Sequence, residues 1–301
     1  MSFIAGAGLT NIDLLYTGMP RIPDVGEELY SEGFELQLGG GVPATLINLG
    51  RLGVPAKIAT ELGNDIFSEF AKKKFGENGV SPLNLYHGEG IPVNITSAII
   101  LKGDRSFITY GSGSIDGCSD ALDGFYDLAQ GSKITIMQPG CFLEVYRKLH
   151  SEGTTLVLDT GWDDELSIDN YRDYLEIADY YTPNKKEALK ITDTDTPDDA
   201  LKVLGSFFEK PIVKLDRDGV LGLENSNRVF VKSIDEFKNV DSTGAGDAFL
   251  AGFCFGLYYD YPFEDCLLFG NITGGKCVTG VGALSEYVTK EELLKIAEEH
   301  R

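Results

Sequence analysis

The sequence of 301 residues predicts an α/β protein: a mostly parallel central sheet with helices on both faces, and a small β-sheet that forms a lid. Two observations predict this class. Short apolar strands alternate with helix-like segments through most of the chain, which is typical of a parallel sheet covered on both faces. Between residues 91 and 110 the apolar pattern alternates with period two, as in a half-buried hairpin. We therefore expect one domain over residues 1–301, with lid segments near 14–37 and 91–111.

The N-terminal quarter supplies the first strands and two helices. Residues 3–8 form a short apolar run that ends in glycines, as a strand does before a turn. A helix is expected over residues 43–53, because Gly53 is a typical helix-ending residue. A strand over 57–60 and a second helix over 65–75 follow. The second helix should present one apolar face, made of Ile66, Phe70, Ala71 and Phe75.

A hairpin and a series of strand–helix units complete the chain. The hairpin strands flank the turn Lys102-Gly103-Asp104-Arg105. Beyond it, four short apolar runs are each followed by helix-like sequence, at residues 133–137, 156–159, 180–182 and 212–215. Strands that alternate with helices in this way are expected to lie parallel in the central sheet.

The composition excludes several classes of partner. The formal net charge is −21 and the isoelectric point is near 4.5, which disfavours nucleic acid and anionic membranes as partners. No apolar run approaches the roughly 18 residues of a membrane span. Five scattered cysteines, without a Cys-x-x-Cys pair, indicate reduced thiols and a cytoplasmic protein, at positions 118, 141, 254, 266 and 277.

The most informative segment is the string Asp241-Ser242-Thr243-Gly244-Ala245-Gly246-Asp247, which leads into an apolar helix. Glycines before a helix let several N–H groups point at one spot, and the helix dipole adds positive potential there. The N–H groups of Gly244, Ala245 and Gly246 are therefore expected to form an anion hole. Asp247 would repel a phosphate held there, unless it removes a proton from the group that attacks that phosphate. The string predicts phosphoryl transfer with Asp247 as the base.

This string resembles the signature of the PfkB, or ribokinase-like, carbohydrate kinases. The string Gly39-Gly40-Gly41-Val42-Pro43-Ala44-Thr45 resembles the second signature of that family. The resemblance implies a ribokinase-like fold and an ATP-dependent kinase that phosphorylates a hydroxyl of a small sugar. A nucleoside kinase of the same fold is the alternative, and a sugar-phosphate kinase is a further one. A dinucleotide oxidoreductase is disfavoured because Asn11 replaces the third glycine of Gly-x-Gly-x-x-Gly. A catalytically silent relative is disfavoured because the base is intact.

For the acceptor, the resemblance implies a set of polar and glycine residues near the two ends of the first lid segment: Asn11, Asp13, Gly39, Gly40, Gly41 and Thr45. The family usually has Asn where Ala44 stands, so sugar specificity does not carry over directly. Residues 159–163 lack the arginine of the family, which disfavours a phosphorylated sugar, although Lys102 and Arg105 on the hairpin leave it open. Phe34 and Phe107 are the candidate pair for stacking on the base of a nucleoside.

For the nucleotide, the resemblance implies Asn184 and Glu187, which lie three apart in the first turn of a helix and would hold Mg²⁺ through water. The other expected ATP-binding residues are Lys214, Gly219, Asn271 and Gly274. Asp216 departs from the family, which commonly has glycine in this loop. The near match of residues 270–277 to a P-loop is better explained as a helix of small residues, because no strand precedes it.

The resemblance implies two further features. Asp241 and Thr243, with carbonyl groups of residues 279–283, would enclose a monovalent cation such as K⁺, and a plain structural turn is the alternative. A small exposed sheet is better buried against a partner, so a lid-mediated homodimer is expected. The expected partners are therefore a small sugar, ATP and a second copy of the chain.

Overall fold

A parallel sheet of six strands lies at the centre of the computed structural model, which describes residues 2–101, 104–111, 114–115 and 117–301. Its strands are β1 (Ile4–Ala7), β4 (Ala56–Thr60), β5 (Val80–Asn84), β8 (Ile134–Met137), β9 (Thr155–Leu158) and β10 (Tyr180–Tyr181). They are hydrogen-bonded in the order β10-β9-β8-β1-β4-β5, and every pair is parallel. The predicted α/β class with a parallel central sheet is confirmed.

Helices cover both faces of this sheet. Side chains alternate along each strand, so Ile4 of β1 packs into the core on one face and Ala5 into the core on the other. The first face carries α1 (Gly41–Arg51), α2 (Ile66–Glu77), α8 (Ala245–Tyr258), α9 (Phe263–Cys277) and α10 (Lys290–His300). The second carries α3 (Ser119–Ala129), α4 (Leu143–Ser151), α5 (Ile168–Leu175), α6 (Lys185–Thr192) and α7 (Pro197–Leu204). No helix among the described residues is long and apolar enough to span a membrane.

The lid is a second sheet, made of β2 (Asn11–Thr17), β3 (Gly33–Gly39), β6 (Asn94–Leu101) and β7 (Asp104–Tyr110). The strand order is β3-β2-β6-β7, with β2 and β6 parallel and the outer pairs antiparallel. The hairpin predicted between residues 91 and 110 is confirmed by the antiparallel pair β6–β7. The first lid segment is longer than expected, however, and Asn11 and Asp13 lie within β2. Three residues, 8 to 10, separate β2 from the end of β1.

Two further expectations need correction. The run 212–215 forms β11 (Ile212–Lys214), which is followed by a 3₁₀ turn and an antiparallel hairpin of β12 (Val220–Glu224) and β13 (Asn227–Val231), not by a helix. A parallel bridge between Asn184 and Lys214 sets this hairpin beside the end of β10. Ile66, expected on the buried face of α2, is 78% exposed, because α2 begins at this residue and buries Ser68, Ala71 and Phe75.

Candidate active site

The signature string forms the turn that starts α8. Gly244, the N-cap, has φ 76°, which is the left-handed region that favours glycine. A Cβ on Gly244 would also lie 2.6 Å from Cα of Ala283, so the string packs directly on the loop near residue 282. The regular helical ladder begins with the N–H of Ala248, which donates to the carbonyl of Gly244 at 2.9 Å. The N–H groups of Gly246 and Asp247 precede that bond, and point out of the helix end.

One of the three expected anion-hole donors is partly used. The N–H of Ala245 donates to the carbonyl of Ser242 at 3.3 Å, which closes the turn. This bond is long, but it turns that N–H towards the loop. The donors that α8 offers best are therefore those of Gly246 and Asp247, with Gly244 shaping the turn.

Asp247 faces the second glycine-rich string. Gly41 is so close that a Cβ on it would lie 3.4 Å from Oδ1 of Asp247. Burial, and the nearby carboxylates of Asp159 and Glu187, raise the pKa of Asp247 well above its ordinary value, while Lys214 opposes that shift. A carboxylate with a raised pKa is a stronger base than a free one. The predicted base, Asp247, thus lies beside Gly41 of the glycine string that was predicted to bind the sugar.

Lys214 lies at the same helix end. Its Nζ is 3.4 Å from the position that a Cβ on Gly246 would take, and it lies 5.6 Å from the ring centre of Phe249. The Lys214 ammonium interacts electrostatically with the carboxylates of Asp247 and Glu187. Asp159 interacts with the same two carboxylates, so one positive charge lies among three acidic groups. The net negative charge of this group would attract a further cation.

Asn184 and Glu187 form a reciprocal helix cap. The N–H of Glu187 donates to Oδ1 of Asn184 at 3.0 Å, and the N–H of Asn184 donates to Oε2 of Glu187 at 2.8 Å. Glu187 is only 5% exposed. Asn184 and Glu187 therefore lie together at the start of α6, as their spacing predicts, and Glu187 is buried there. Burial raises the pKa of Glu187, and Lys214 opposes this. Within the described part of the chain, no group of three His, Cys, Asp or Glu side chains could hold a metal ion directly.

Asn11 and Asp13 point from β2 towards the glycine loop. Nδ2 of Asn11 donates to Oδ1 of Asp13 at 2.5 Å, and Thr96 of β6 donates its hydroxyl to Oδ1 of Asn11 at 3.0 Å. A Cβ on Gly39 would collide with the Asp13 carboxylate, so any larger residue here would displace that side chain. Burial raises the pKa of Asp13 to about 6, although the amide of Asn11 works against it. Three expected acceptor residues therefore lie in contact.

The sequence analysis missed two polar residues of this face. Gln37 and Thr96 are the register partners of Asp13 in the two neighbouring strands, so their side chains share its face. Nε2 of Gln37 donates to the carbonyl of Val281 at 2.9 Å, which ties the lid to the loop near residue 282. Polar residues alternate in the lid strands, and this pattern indicates one polar face. The pattern identifies Gln37 and Thr96 as neighbours of Asp13 only when the strand register is known.

The structure removes Thr45 from the acceptor site. Its side chain has no exposed surface, and its hydroxyl donates to the carbonyl of Gly41 at 3.0 Å. The expectation was wrong because α1 starts at Gly41 and is buried all round from Val42 to Leu49, so residue 45 has no surface to offer a ligand. Lys102, the other residue named for a phosphorylated acceptor, lies outside the described residues.

Three expected nucleotide residues have structural contacts of their own. Nδ2 of Asn271 donates to the carbonyls of Val231 at 2.9 Å and Lys232 at 3.1 Å, so it ties α9 to the end of β13. A Cβ on Gly274 would lie 3.1 Å from the carbonyl oxygen of Ala245, so this glycine allows α9 to pack against α8. Gly219 has φ 114° and lies against the carbonyl of Val231. These residues shape the region beside the helix end, and their contact with ATP stays a prediction.

The suspected P-loop is a helix, as expected. Lys276 lies in the last turn of α9, and its Nζ pairs with Oε2 of Glu286 at 2.6 Å. A phosphate-binding loop needs a strand before it, and α9 is continuous from residue 263.

The residues expected to enclose a monovalent cation are engaged by an arginine. Oδ1 of Asp241 accepts the N–H of Thr243 at 3.0 Å and its hydroxyl at 2.8 Å, and Oδ2 accepts the N–H of Gly282 at 2.9 Å. Nη1 of Arg105, from the lid strand β7, donates to Asp241 and to the hydroxyl of Thr243, the latter at 2.6 Å. Burial opposes ionisation of Asp241, but these hydrogen bonds and the charge of Arg105 lower its pKa. Arg105 is thus not facing an acceptor phosphate.

The aromatic pair suggested for a nucleoside base is split between the two faces of the lid. Phe107 shares a face with Thr109, whose hydroxyl lies 3.0 Å from that of Thr96, so Phe107 lies on the inner face. Phe34 is the register partner of Tyr16, on the outer face, and the two ring centres are 5.3 Å apart. The two rings cannot enclose one base, because neighbouring strands fix them on opposite sides of the sheet.

The chain is similar to known kinases in sequence and in fold. The sequence matches the family described as pfkB family carbohydrate kinase over residues 1–290. It is 23% identical over 297 residues to a ribokinase of Haemophilus influenzae, a match that covers 93% of this chain and 94% of that protein. The structure of Arabidopsis thaliana ribokinase complexed with ribose and ATP superposes with a TM-score of 0.82 and 22% identity, covering 99% of each chain. A nucleoside kinase of Methanocaldococcus jannaschii gives a TM-score of 0.82 and 19% identity, covering 100% of this chain and 99% of that one.

Proposed function

Because the chain belongs to the pfkB family of carbohydrate kinases, we propose that it transfers the γ-phosphoryl group of ATP to a hydroxyl of a small, unphosphorylated sugar. The observation that carries this proposal is the position of Asp247. Its carboxylate lies at the N-terminal end of α8, where N–H groups can receive a phosphate, and beside Gly41, where the acceptor loop begins α1. A base between a phosphate site and an acceptor site is the arrangement that phosphoryl transfer requires.

The transfer is a single displacement. The acceptor hydroxyl oxygen forms a bond to the γ-phosphorus as the bond to the β-phosphate oxygen breaks, and ADP leaves. The hydroxyl proton passes to the carboxylate of Asp247, whose raised pKa favours this step. The N–H groups at the start of α8 and the ammonium of Lys214 stabilise the charge on the transferring phosphoryl oxygens. The same groups bind the phosphates of ATP.

Mg²⁺ fits this site if it is held through water. Asp159, Glu187 and Asp247 carry more negative charge than Lys214 balances, and the capping box commits Oε2 of Glu187 and Oδ1 of Asn184 to backbone groups. These residues would therefore orient the waters of the ion and not bind it directly. When bound with ATP, Mg²⁺ would neutralise charge on the phosphate oxygens.

An unphosphorylated sugar suits the acceptor side. Asp13 and the amides of Asn11 and Gln37 lie on the inner face of the lid, where carboxylate and amide groups can pair with sugar hydroxyls. A phosphorylated acceptor would meet the Asp13 carboxylate, and the guanidinium of Arg105 is already engaged by Asp241. The lid would close over the sugar and exclude water.

A nucleoside is the second candidate acceptor. Phe107 lies on the inner face of the lid and is 52% exposed, so a base could stack on its ring. A single ring gives less selectivity than the pair first considered. We therefore keep the sugar as the main proposal.

The outer face of the lid supports a homodimer. Phe34, Ile108 and Tyr110 are all more than half exposed on this face, and Tyr16 lies beside Phe34. An open apolar sheet face is unfavourable in water, and a second copy of the chain would cover it. We further propose that residues 1–301 act as one kinase domain in the cytoplasm.

The test is a screen for ADP release from ATP with sugars, sugar phosphates and nucleosides, run in parallel with Asp247→Asn. The proposal expects turnover with an unphosphorylated sugar that the variant lacks. Turnover with nucleosides alone would favour the second candidate. Turnover with sugar phosphates alone, or equal turnover by the variant, would refute the proposal.

A further inference from the structure

We propose that Arg105, carried on the lid, supplies a fixed positive charge to the signature string and takes the place of the monovalent cation expected there. This inference rests on the proposed function, because the string carries the anion hole and the base. It makes the kinase independent of K⁺ in the lid position seen here. It also makes Arg105 a positioning residue, since it acts through Asp241 and Thr243 and not on the substrate.

The first observation is the identity of the atoms that Arg105 contacts. Nη1 donates to Oδ1 of Asp241 and to Oγ1 of Thr243, which are the two side-chain oxygens expected to bind the cation. The other oxygen of Asp241 accepts the N–H of Gly282. Both oxygens of the carboxylate are thus directed at donors. A K⁺ ion on the same two oxygens would be in contact with Nη1, and two like charges would share one set of ligands.

The second observation is that these contacts join three segments. Asp241 lies in the signature string, Gly282 lies in the loop that packs on Gly244, and Arg105 lies on β7 of the lid. A bound cation would serve the same purpose, because it would hold the string and the loop together beside the helix end. Here the arginine adds a third segment, which the ion would not reach.

The third observation is that the Arg105 guanidinium lies near an aromatic ring and pairs with a largely buried carboxylate. Arg105 and Phe107 share the inner face of β7, and the guanidinium carbon lies 5.5 Å from the centre of the Phe107 ring. Asp241 is largely buried, with 11% of its side chain exposed, while Arg105 is 36% exposed. A charge pair that is buried on one side is screened less by salt than a surface pair. The positive charge therefore reaches the string only when the lid is in place.

The first test uses thermal unfolding, which does not depend on activity. The wild-type protein, Arg105→Ala and the control Arg21→Ala are unfolded in KCl and in choline chloride of equal ionic strength. Arg21 lies in the first lid segment, is exposed and pairs with Glu27, so its removal changes the net charge by the same amount as that of Arg105. We expect the same Tm in both salts for the wild type and the control. Arg105→Ala should gain about 2–5 °C in KCl, because K⁺ can then bind Asp241 and Thr243.

The second test is kinetic. With the acceptor found in the screen, wild-type kcat should be equal in KCl and choline chloride. Arg105→Ala should lose roughly 10- to 100-fold in kcat, less than the loss of a direct donor to the transferring group. K⁺ or added guanidinium ion should restore most of that loss, and should do nothing to Arg21→Ala. A merely structural role for Arg105 would not give rescue by a small cation.

The outcomes are distinct. Wild-type stabilisation or activation by K⁺, or an Arg105→Ala protein that responds to neither K⁺ nor guanidinium, would overturn the inference. If Arg105→Ala does not fold, the wild-type salt comparison still decides it, and Arg105→Gln supplies the uncharged variant. If no acceptor is phosphorylated, the proposed function fails, while the thermal comparison continues to test the fixed charge by itself.

Discussion

Asp13 gives the sharpest quantitative prediction, because it is a partly buried carboxyl group held at a cost in stability. Its pKa is raised from an ordinary value of 3.8 to about 6, chiefly by burial. Each pKa unit corresponds to about 1.4 kcal/mol, so the ionised carboxylate lowers the free energy of unfolding by about 3 kcal/mol at neutral pH. Asp13→Asn keeps the size and removes the charge. We expect this variant to be more stable than the wild type by up to about 3 kcal/mol at pH 8.

The sign follows from the two pKa values. Between pH 4 and pH 6 the folded protein binds a proton at Asp13 that the unfolded chain releases, so lowering the pH stabilises the wild type relative to Asp13→Asn. The stability difference should therefore be largest above pH 6 and should close near pH 4. Urea unfolding of both proteins from pH 4 to pH 8 measures it. Asp65→Asn is the control, because hydrogen bonds at the helix cap lower the pKa of Asp65. The stability difference between the wild type and Asp65→Asn should therefore have the opposite sign.

The same carboxylate should limit function in the acidic range. If Asp13 binds sugar hydroxyls as an anion, about nine-tenths of the protein is competent at pH 7 and about one-tenth at pH 5, so KM for the acceptor should rise about tenfold. Asp13→Asn should show a KM that is high and independent of pH. A variant with unchanged stability at pH 8, or with wild-type KM, would refute this account of the residue.

Three other predictions follow from the site. Asp247→Asn should reduce kcat by about 10²–10⁴-fold with little change in KM, measured by coupled ADP release, and a loss confined to KM would contradict its role as a base. Thr45→Val should leave the acceptor KM unchanged and lower stability by about 1 kcal/mol, because its hydroxyl bonds only within α1; a raised KM would return Thr45 to the site. Phe34→Ser should weaken dimerisation in sedimentation equilibrium and spare the KM, whereas Phe107→Ser should do the reverse, and identical effects would show that the two lid faces are not separate.

The sequence was sufficient for features that depend on local pattern. The alternation of short strands with helices follows from burial on both faces of a parallel sheet, and the turn before α8 follows from its glycines. The capped start of α6 follows from the spacing of Asn184 and Glu187. Each of these can be inferred from residues that are neighbours in the chain.

Features that depend on distant segments could not be predicted. Arg105 meets Asp241 across 136 positions, a contact that depends on how the lid sits over the signature string. Thr45 was misassigned because α1 is buried all round from Val42 to Leu49, and that burial is made by segments distant in the chain. Phe34 was misassigned because strand pairing, and not residue type, decides the face of a sheet.

The lid joins the rest of the chain beside the glycine string 39–41, which is proposed to bind the acceptor. Asn11, Gly39 and Asn94 stand side by side at one end of the lid, where β2 and β6 start and β3 ends. From Gly39 the chain enters α1 through Gly40 alone, at φ 96°. A swing of the lid about this end would turn around Asn11 and Gly39, which are proposed to bind the acceptor. Opening the lid would then loosen the proposed sugar contacts in the same movement, and this would couple product release to lid opening.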